Sequence, residues 1–301
     1  MQAPPRPRAR GALVTLLSMP RELFLERYWT SRPLFVRGSP LRLPAVFRAR
    51  ALQTLGGLLG ASPTGVRTWF VDPRGAERSV EVPADAAAEL YLSRRLTVVV
   101  DGVRIPAVET LMSRMKAELV TLQHSIGANA YVSPAGVGTR MHFDQQDVFL
   151  VQIVGRKRWT IAPQTQVRHP TEPFFGGQLG RENRLHRARF PTRMPRAART
   201  VVLAPGNVLY LPAGTWHESL TLKDSIALTF TFASTSWLDL LLLRLRARLL
   251  RREPWRERTV GILATPSALQ ARALSTFREL ARSLGRELSD IDVMDLLTRE
   301  P

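Results

Sequence analysis

From residue 128 onward the chain breaks into short strand-like runs: ANAYVSP (128–134), QDVFLVQIVG (146–155), KRWTIAP (157–163), ARTVVLAPGNVLYLPAG (198–214), HESLTL (217–222) and SIALTFTFAS (225–234). Each run is rich in β-branched and aromatic residues and is closed by Gly, Pro or charge. That rhythm of short strands and turns does not indicate alternating βα units. What remains is an antiparallel sandwich or barrel.

Helical patterns flank this block. PRELFLERYW (20–29) starts with Pro in the first turn and places Phe24 and Tyr28 on one face. Residues 45–59 and 83–94 read as helices, and RPLFVRG (32–38), VRTWFVD (66–72) and RLTVVVDGV (95–103) as strands. The pattern predicts a long helix over 107–127, between Pro106 and Gly127. Helices return over 237–253 and 267–287. The expected organisation is a flexible basic segment 1–19, an α/β part 20–106, a β core 107–235 with its preceding helix, and a helical region 236–301. The fold class is therefore α+β, a mainly β core with flanking helices.

Composition narrows the chemistry. None of the 301 residues is cysteine, which removes disulfides, thiolate metal sites and cysteine nucleophiles. Lys and Arg number 43 against 25 Asp and Glu, a formal charge of +18 that favours polyanionic partners or surfaces without choosing among RNA, DNA, the ribosome and anionic lipid. LVTLLSM (13–19) stops at Pro20 without a signal-peptide core, and WLDLLLLRLRARLL (237–250) carries Asp239 and three arginines. No membrane insertion is expected, and the location expected is cytoplasmic.

The stretch MHFDQQDVFLVQIVGRKRW (141–159) holds the candidate site. In a strand, His142 and Asp144 face one side and Phe143 the other. They are either two metal ligands or two polar residues closing a strand. His217, where a Pro-Ala-Gly turn enters a strand, is the best third ligand among the five histidines. Two histidines and one carboxylate leave coordination positions open and suit non-haem Fe(II). His124 is placed near the end of the long helix, and His169 and His186 flank a loop. Trp159 reads as core, and Asp147 as either a support for the ligands or a strand-end residue.

These segments, together with ELFLERYWTSRPLFVRG (22–38), resemble the cupin-type JmjC oxygenases, nearest the ribosomal oxygenase branch. The resemblance spans roughly residues 20 to 235. It implies a double-stranded β-helix (jelly roll) and an Fe(II)- and 2-oxoglutarate-dependent protein hydroxylase. It places the iron ligands on His142, Asp144 and His217. The cation for the far carboxylate of 2-oxoglutarate falls on Lys157, with Tyr131 lining the same pocket. The strand alternation agrees, turning Arg156 and Arg158 away from Lys157. The implied partner is a protein or peptide substrate, ribosomal in the branch, with non-specific RNA contact beside it. The helical region is expected to form a homodimer. The same centre serves N-methyl demethylation, and the reading leaves open a small-molecule or peptide-tailoring oxygenase and a non-catalytic cupin-like binding module.

Overall fold

The computed structural model describes residues 11–61, 64–71, 77–175, 180–186, 189–263 and 265–289. They fall into two compact units, one within residues 1–234 and one within 235–301.

The first unit runs in chain order α1 (Ala12–Leu17), α2 (Arg21–Arg27), β1 (Leu34–Val36), α3 (Leu55–Leu59), β2 (Gly65–Val71), β3 (Glu77–Glu81), α4 (Ala84–Arg94), β4 (Thr97–Asp101) and α5 (Pro106–Glu118). It continues through β5 (Gln123–Ser133), β6 (Gly138–His142), β7 (Asp147–Ala162), α6 (Arg181–Leu185), β8 (Arg199–Leu203), β9 (Val208–Leu211) and β10 (Trp216–Ser234). The second unit holds α7 (Trp237–Leu250) and α8 (Ala268–Ser289). Every strand pair in the described residues is antiparallel, with the order β1-β9-β7-β10-β5-β4-β2-β3. Strand β6 joins β10 and β8 joins β7. This is the antiparallel β core of a cupin-like double-stranded β-helix with flanking helices.

Two expectations about strands are corrected. The runs 146–155 and 157–163 form one strand, β7, and 217–222 and 225–234 form one strand, β10. Gly155 bends β7 at φ +71, and a Cβ there would sit 1.9 Å from the Asp224 carbonyl oxygen. Opposite it, the β7–β10 register shifts between Lys223 and Ile226. The turn-like residues at 155 and 223–225 therefore mark a bend shared by two paired strands, where the sequence reads as two loops.

The long helix is corrected as well. It stops at Glu118, and residues 123–133 are strand β5, pairing with β10 from Ser133↔Ser225 to Gln123↔Ser234. Eleven residues of ladder outweigh a local helical pattern. His124 thus lies on a strand, and its side chain is outside the described residues. The expected helix over 45–59 is two short 3-10 turns followed by α3.

A flexible segment through residue 19 is also not what forms. Residues 1–10 lie outside the described residues, but 12–17 make α1, with Ala12, Leu13, Leu16 and Leu17 buried. Its first amides are bonded from outside the helix: Ala12 N–H and Leu13 N–H donate to the two Glu118 carboxylate oxygens at 2.7 and 2.9 Å. An anion at a helix N-terminus satisfies donors that Gly11, with no side chain, leaves bare.

The main core is aromatic. Phe24 of α2 meets Tyr210 edge-on at 5.1 Å, and Phe149 lies 4.8 Å from Tyr210. Phe230 and Phe232 are fully buried in the same cluster. Each such ring contributes about 1.5–3 kcal/mol by burial. This packing fixes one face of β7, β9 and β10 and leaves the opposite face to line a cavity.

A candidate metal centre

The register of β6 on β10 sets His142 directly opposite His217, with ring centroids 4.1 Å apart. Asp144 stands in the turn just after β6, its carboxylate 3.5 Å from His217 Nε2. The three side chains each offer one ligand atom, and these atoms lie within 4.8 Å of one another. Among the described residues this is the cluster of its kind. His169 and His186 are exposed and outside it.

Both rings are oriented from behind. His142 Nδ1 is 2.7 Å from the Arg140 carbonyl and His217 Nδ1 is 2.8 Å from the Thr215 carbonyl. Each Nδ1 therefore carries the proton and donates it to backbone, leaving the Nε2 lone pair for a metal. Burial, then the neighbouring His217 and Lys157, holds His142 well below its usual pKa, so the imidazole is neutral. Burial pushes the Asp144 carboxyl up, opposed by His217. A dication between them supplies the positive charge that favours the carboxylate.

The turn before His217 is tied to the segment carrying Asp144. Gly214 N–H donates to the Asp144 carbonyl at 2.7 Å, and Gly214 has φ +78, which a residue without Cβ adopts freely. Asp147 extends the tie. Its carboxylate accepts from Tyr210 O–H at 2.8 Å and from Ala213 N–H at 3.4 Å, and Tyr210 in turn accepts from Thr30 N–H. Asp147 supports the loop that presents His217.

Behind the ligands lies an aromatic cluster. Phe143, between His142 and Asp144, packs edge-on against Trp216 at 4.8 Å, and Phe174 and Phe190 complete the group. Residues adjacent to the ligands thus face a packed wall while the ligands face the cavity.

A 60 Å³ cavity extends from the ligands along the inside of the sheets to Lys157, Trp159 and Thr229. Lys157 is 4% exposed, and its ammonium lies 3.4 Å from Ser133 Oγ. Arg156 and Arg158 are exposed on the opposite face. No carboxylate pairs with Lys157 among the described residues, and burial lowers its pKa to about 8. Thr229 Oγ1 and Trp159 Nε1 are buried without a hydrogen-bond partner. An unpaired buried cation with idle hydroxyl and indole groups around it fits an anionic guest. Tyr131 lines this cavity and a larger one of 490 Å³ that shares His142, Asp144 and Lys157 and opens outward past Trp69 and Phe175.

Sequence reasoning missed Phe175, which stacks on His142 at 4.6 Å, and Trp69 beside it. It also missed Thr229. The signal for Thr229 is present: Leu228, Phe230 and Phe232 point to the core, so the alternate positions Ala227 and Thr229 face the cavity. Trp159, expected as core, is buried but also walls the cavity, 5.8 Å from the His217 ring.

Residues 106–240 match the JmjC domain family. The uncharacterized protein YxbC of Bacillus subtilis is 29% identical over 251 residues, covering 79% of this chain and 75% of that protein. Ribosomal oxygenase 2 of Rattus norvegicus is 29% identical over 241 residues, 73% of this chain and 47% of that protein, so the chain spans about half of that relative. Among solved structures, the Escherichia coli ribosomal oxygenase YcfD in complex with cobalt and 2-oxoglutarate superposes with a TM-score of 0.54 at 21% identity, over 89% of this chain and 67% of that one. Residues 106–240 therefore match a JmjC domain, and the chain is similar to a ribosomal oxygenase over about half of that protein's length.

Proposed function

We propose that this chain is an Fe(II)- and 2-oxoglutarate-dependent hydroxylase of a protein side chain, with a ribosomal protein as substrate. The observation that carries the reading is that His142, Asp144 and His217 converge at one end of a cavity whose other end holds the buried, unpaired Lys157. When bound, iron and 2-oxoglutarate supply the activation of oxygen and the oxidation of a C–H bond. The balance is R–H + O₂ + 2-oxoglutarate → R–OH + succinate + CO₂.

The chain's own groups bind, orient and exclude. The three ligands leave the remaining metal positions open toward the cavity. Lys157, with Ser133 and Thr229 nearby, holds the far carboxylate of the cosubstrate, and Tyr131 walls it. Trp69 and Phe175 line the mouth through which the substrate side chain reaches the metal. No side chain is needed as a general base. Retention of the full ligand set with Lys157 argues against a cupin module that only binds.

A ribosomal target is supported by the homology and by the charge of +18, which draws the enzyme to RNA beside the target. Homodimerisation through α7 is supported by its exposed Trp237, Leu238, Leu242 and Leu243. A cytoplasmic location follows from a ribosomal target, and among the described residues no helix is long and apolar enough to cross a membrane. The test is mass spectrometry of ribosomal proteins from cells with and without the gene, with succinate release measured on purified candidates. A +16 Da change that depends on the gene supports the reading. Full coverage with no such change overturns the ribosomal assignment.

A further inference from the structure

The metal cavity continues into a second groove. The 490 Å³ space shares Val71, Glu77, Gly138 and Thr139 with a groove of 430 Å³ on the outer side of the sheet. The pairs Leu220↔Arg158 and Glu218↔Thr160 line that groove. By strand alternation they point away from the metal, whereas His217, next to Glu218 on β10, belongs to the opposite face.

Strand β6 connects the two spaces. It begins at Gly138, in the groove, and ends at His142, a ligand. One edge of β6 pairs with β10. Among the described residues no strand pairs with its other edge, where Arg140 N–H donates to the Glu77 carboxylate at 2.6 Å. Five residues of strand span about 17 Å, so an extended chain beside β6 passes from metal to groove in about five residues.

The groove carries charges of both signs, Glu77 and Glu218 with Arg140 and Arg158. A phosphate backbone would meet two carboxylates there. A polypeptide offers donors, acceptors and an apolar side chain for Leu220, which is 37% exposed. We propose that the substrate is an extended polypeptide laid along β6, with its reacting side chain in the inner cavity and residues about three to five positions away seated over Leu220 in the outer groove. This rests on the protein-hydroxylase reading and names how that site selects its substrate.

The experiment uses the full chain and nested peptides from whichever ribosomal protein acquires +16 Da. Leu220→Glu and Thr160→Arg are compared with wild type, and 2-oxoglutarate turnover without peptide serves as the control for folding. For wild type, KM falls at least tenfold when the peptide is extended by about five residues on one side of the modified residue, a length gain in apparent affinity. Both variants lose that gain while matching wild type on the short peptide and in peptide-free turnover. Equal KM at all lengths overturns the proposal, as does an equal loss on short and long peptides. So does loss of binding to a labelled 20-nucleotide single-stranded RNA with the length gain intact, which assigns the groove to nucleic acid. Absence of any gene-dependent +16 Da change on ribosomal or other cellular proteins overturns the functional reading and this proposal together, whereas hydroxylation without length dependence overturns this proposal alone.

Discussion

Lys157 is the side chain whose cost to the fold is plainest. Its pKa falls to about 8 by burial, from an ordinary value of 10.5. A lysine whose folded pKa is depressed destabilises the fold while charged. The penalty is therefore full below pH 8 and fades as pH rises from 8 toward 10.5. A shift of that size corresponds to about 3 kcal/mol at most. Lys157→Met is expected to raise the melting temperature of the metal- and cosubstrate-free protein at pH 7, read by thermal denaturation. The same variant is expected to weaken 2-oxoglutarate at least about tenfold in KM, because a charge-assisted contact is lost. In wild type the affinity for 2-oxoglutarate falls as pH rises above 8, where the free ammonium gives up its proton. A flat pH profile across that range removes Lys157 from the role. His217→Ala gives the complementary result: loss of metal in equilibrium dialysis and of turnover, with the fold retained by circular dichroism. Lys157 and the ligands are legible in the sequence because the family resemblance points to these positions and strand alternation agrees, sorting 157 from 156 and 158; Asp144 itself stands in the turn after β6. Phe175 is not legible, because its contact with His142 comes from a loop, and nothing in the local pattern of that loop points back to β6.

At the scale of elements, local patterns mislead wherever a ladder decides. Residues 119–127 read as helix, yet β10 offers a full-length edge and takes 123–133 as strand. The punctuation at Gly155 and at 223–225 reads as chain-reversing loops, yet it marks one bend carried by two paired strands. The α+β class and the jelly-roll core survive these errors, because merging two runs into one bent strand does not change which residues alternate inward. The bend has a testable consequence. Gly155→Ala places a Cβ against the Asp224 carbonyl in a backbone region that L-residues avoid. A loss of stability of about 1–3 kcal/mol or more is expected in urea unfolding. The loss falls on the β7–β10 pair that carries both Lys157 and His217, so 2-oxoglutarate affinity falls with it. A variant as stable as wild type shows that the strand absorbs the Cβ without bending differently.

At the scale of the whole molecule, apolar surface and charge remain that the β core does not use. Helix α7 begins with Ser236, whose hydroxyl accepts from Asp239 N–H at 3.0 Å, so its start is well defined. Beyond that start Leu240 is its buried residue, while Trp237 is 79% exposed, Leu238 60% and Leu243 57%. A helix this apolar in water lowers its free energy by covering those residues, and a second copy of the same helix is a self-complementary cover under two-fold symmetry. The protein is expected to have a dimeric mass by light scattering at micromolar concentration. Leu242→Glu, at a position 52% exposed, sets a like charge against its symmetry mate and is expected to give a monomer. The ligand set and Lys157 all lie within residues 1–234, so the monomeric variant keeps 2-oxoglutarate turnover. Binding to ribosomes separates the two surface properties. If it rests on the +18 charge, it weakens steeply between 50 and 200 mM salt for monomer and dimer alike, and the dimer binds more tightly at each salt by having two attachment points. A strictly monomeric wild type overturns the role of α7, and salt-independent ribosome binding overturns the role of the charge.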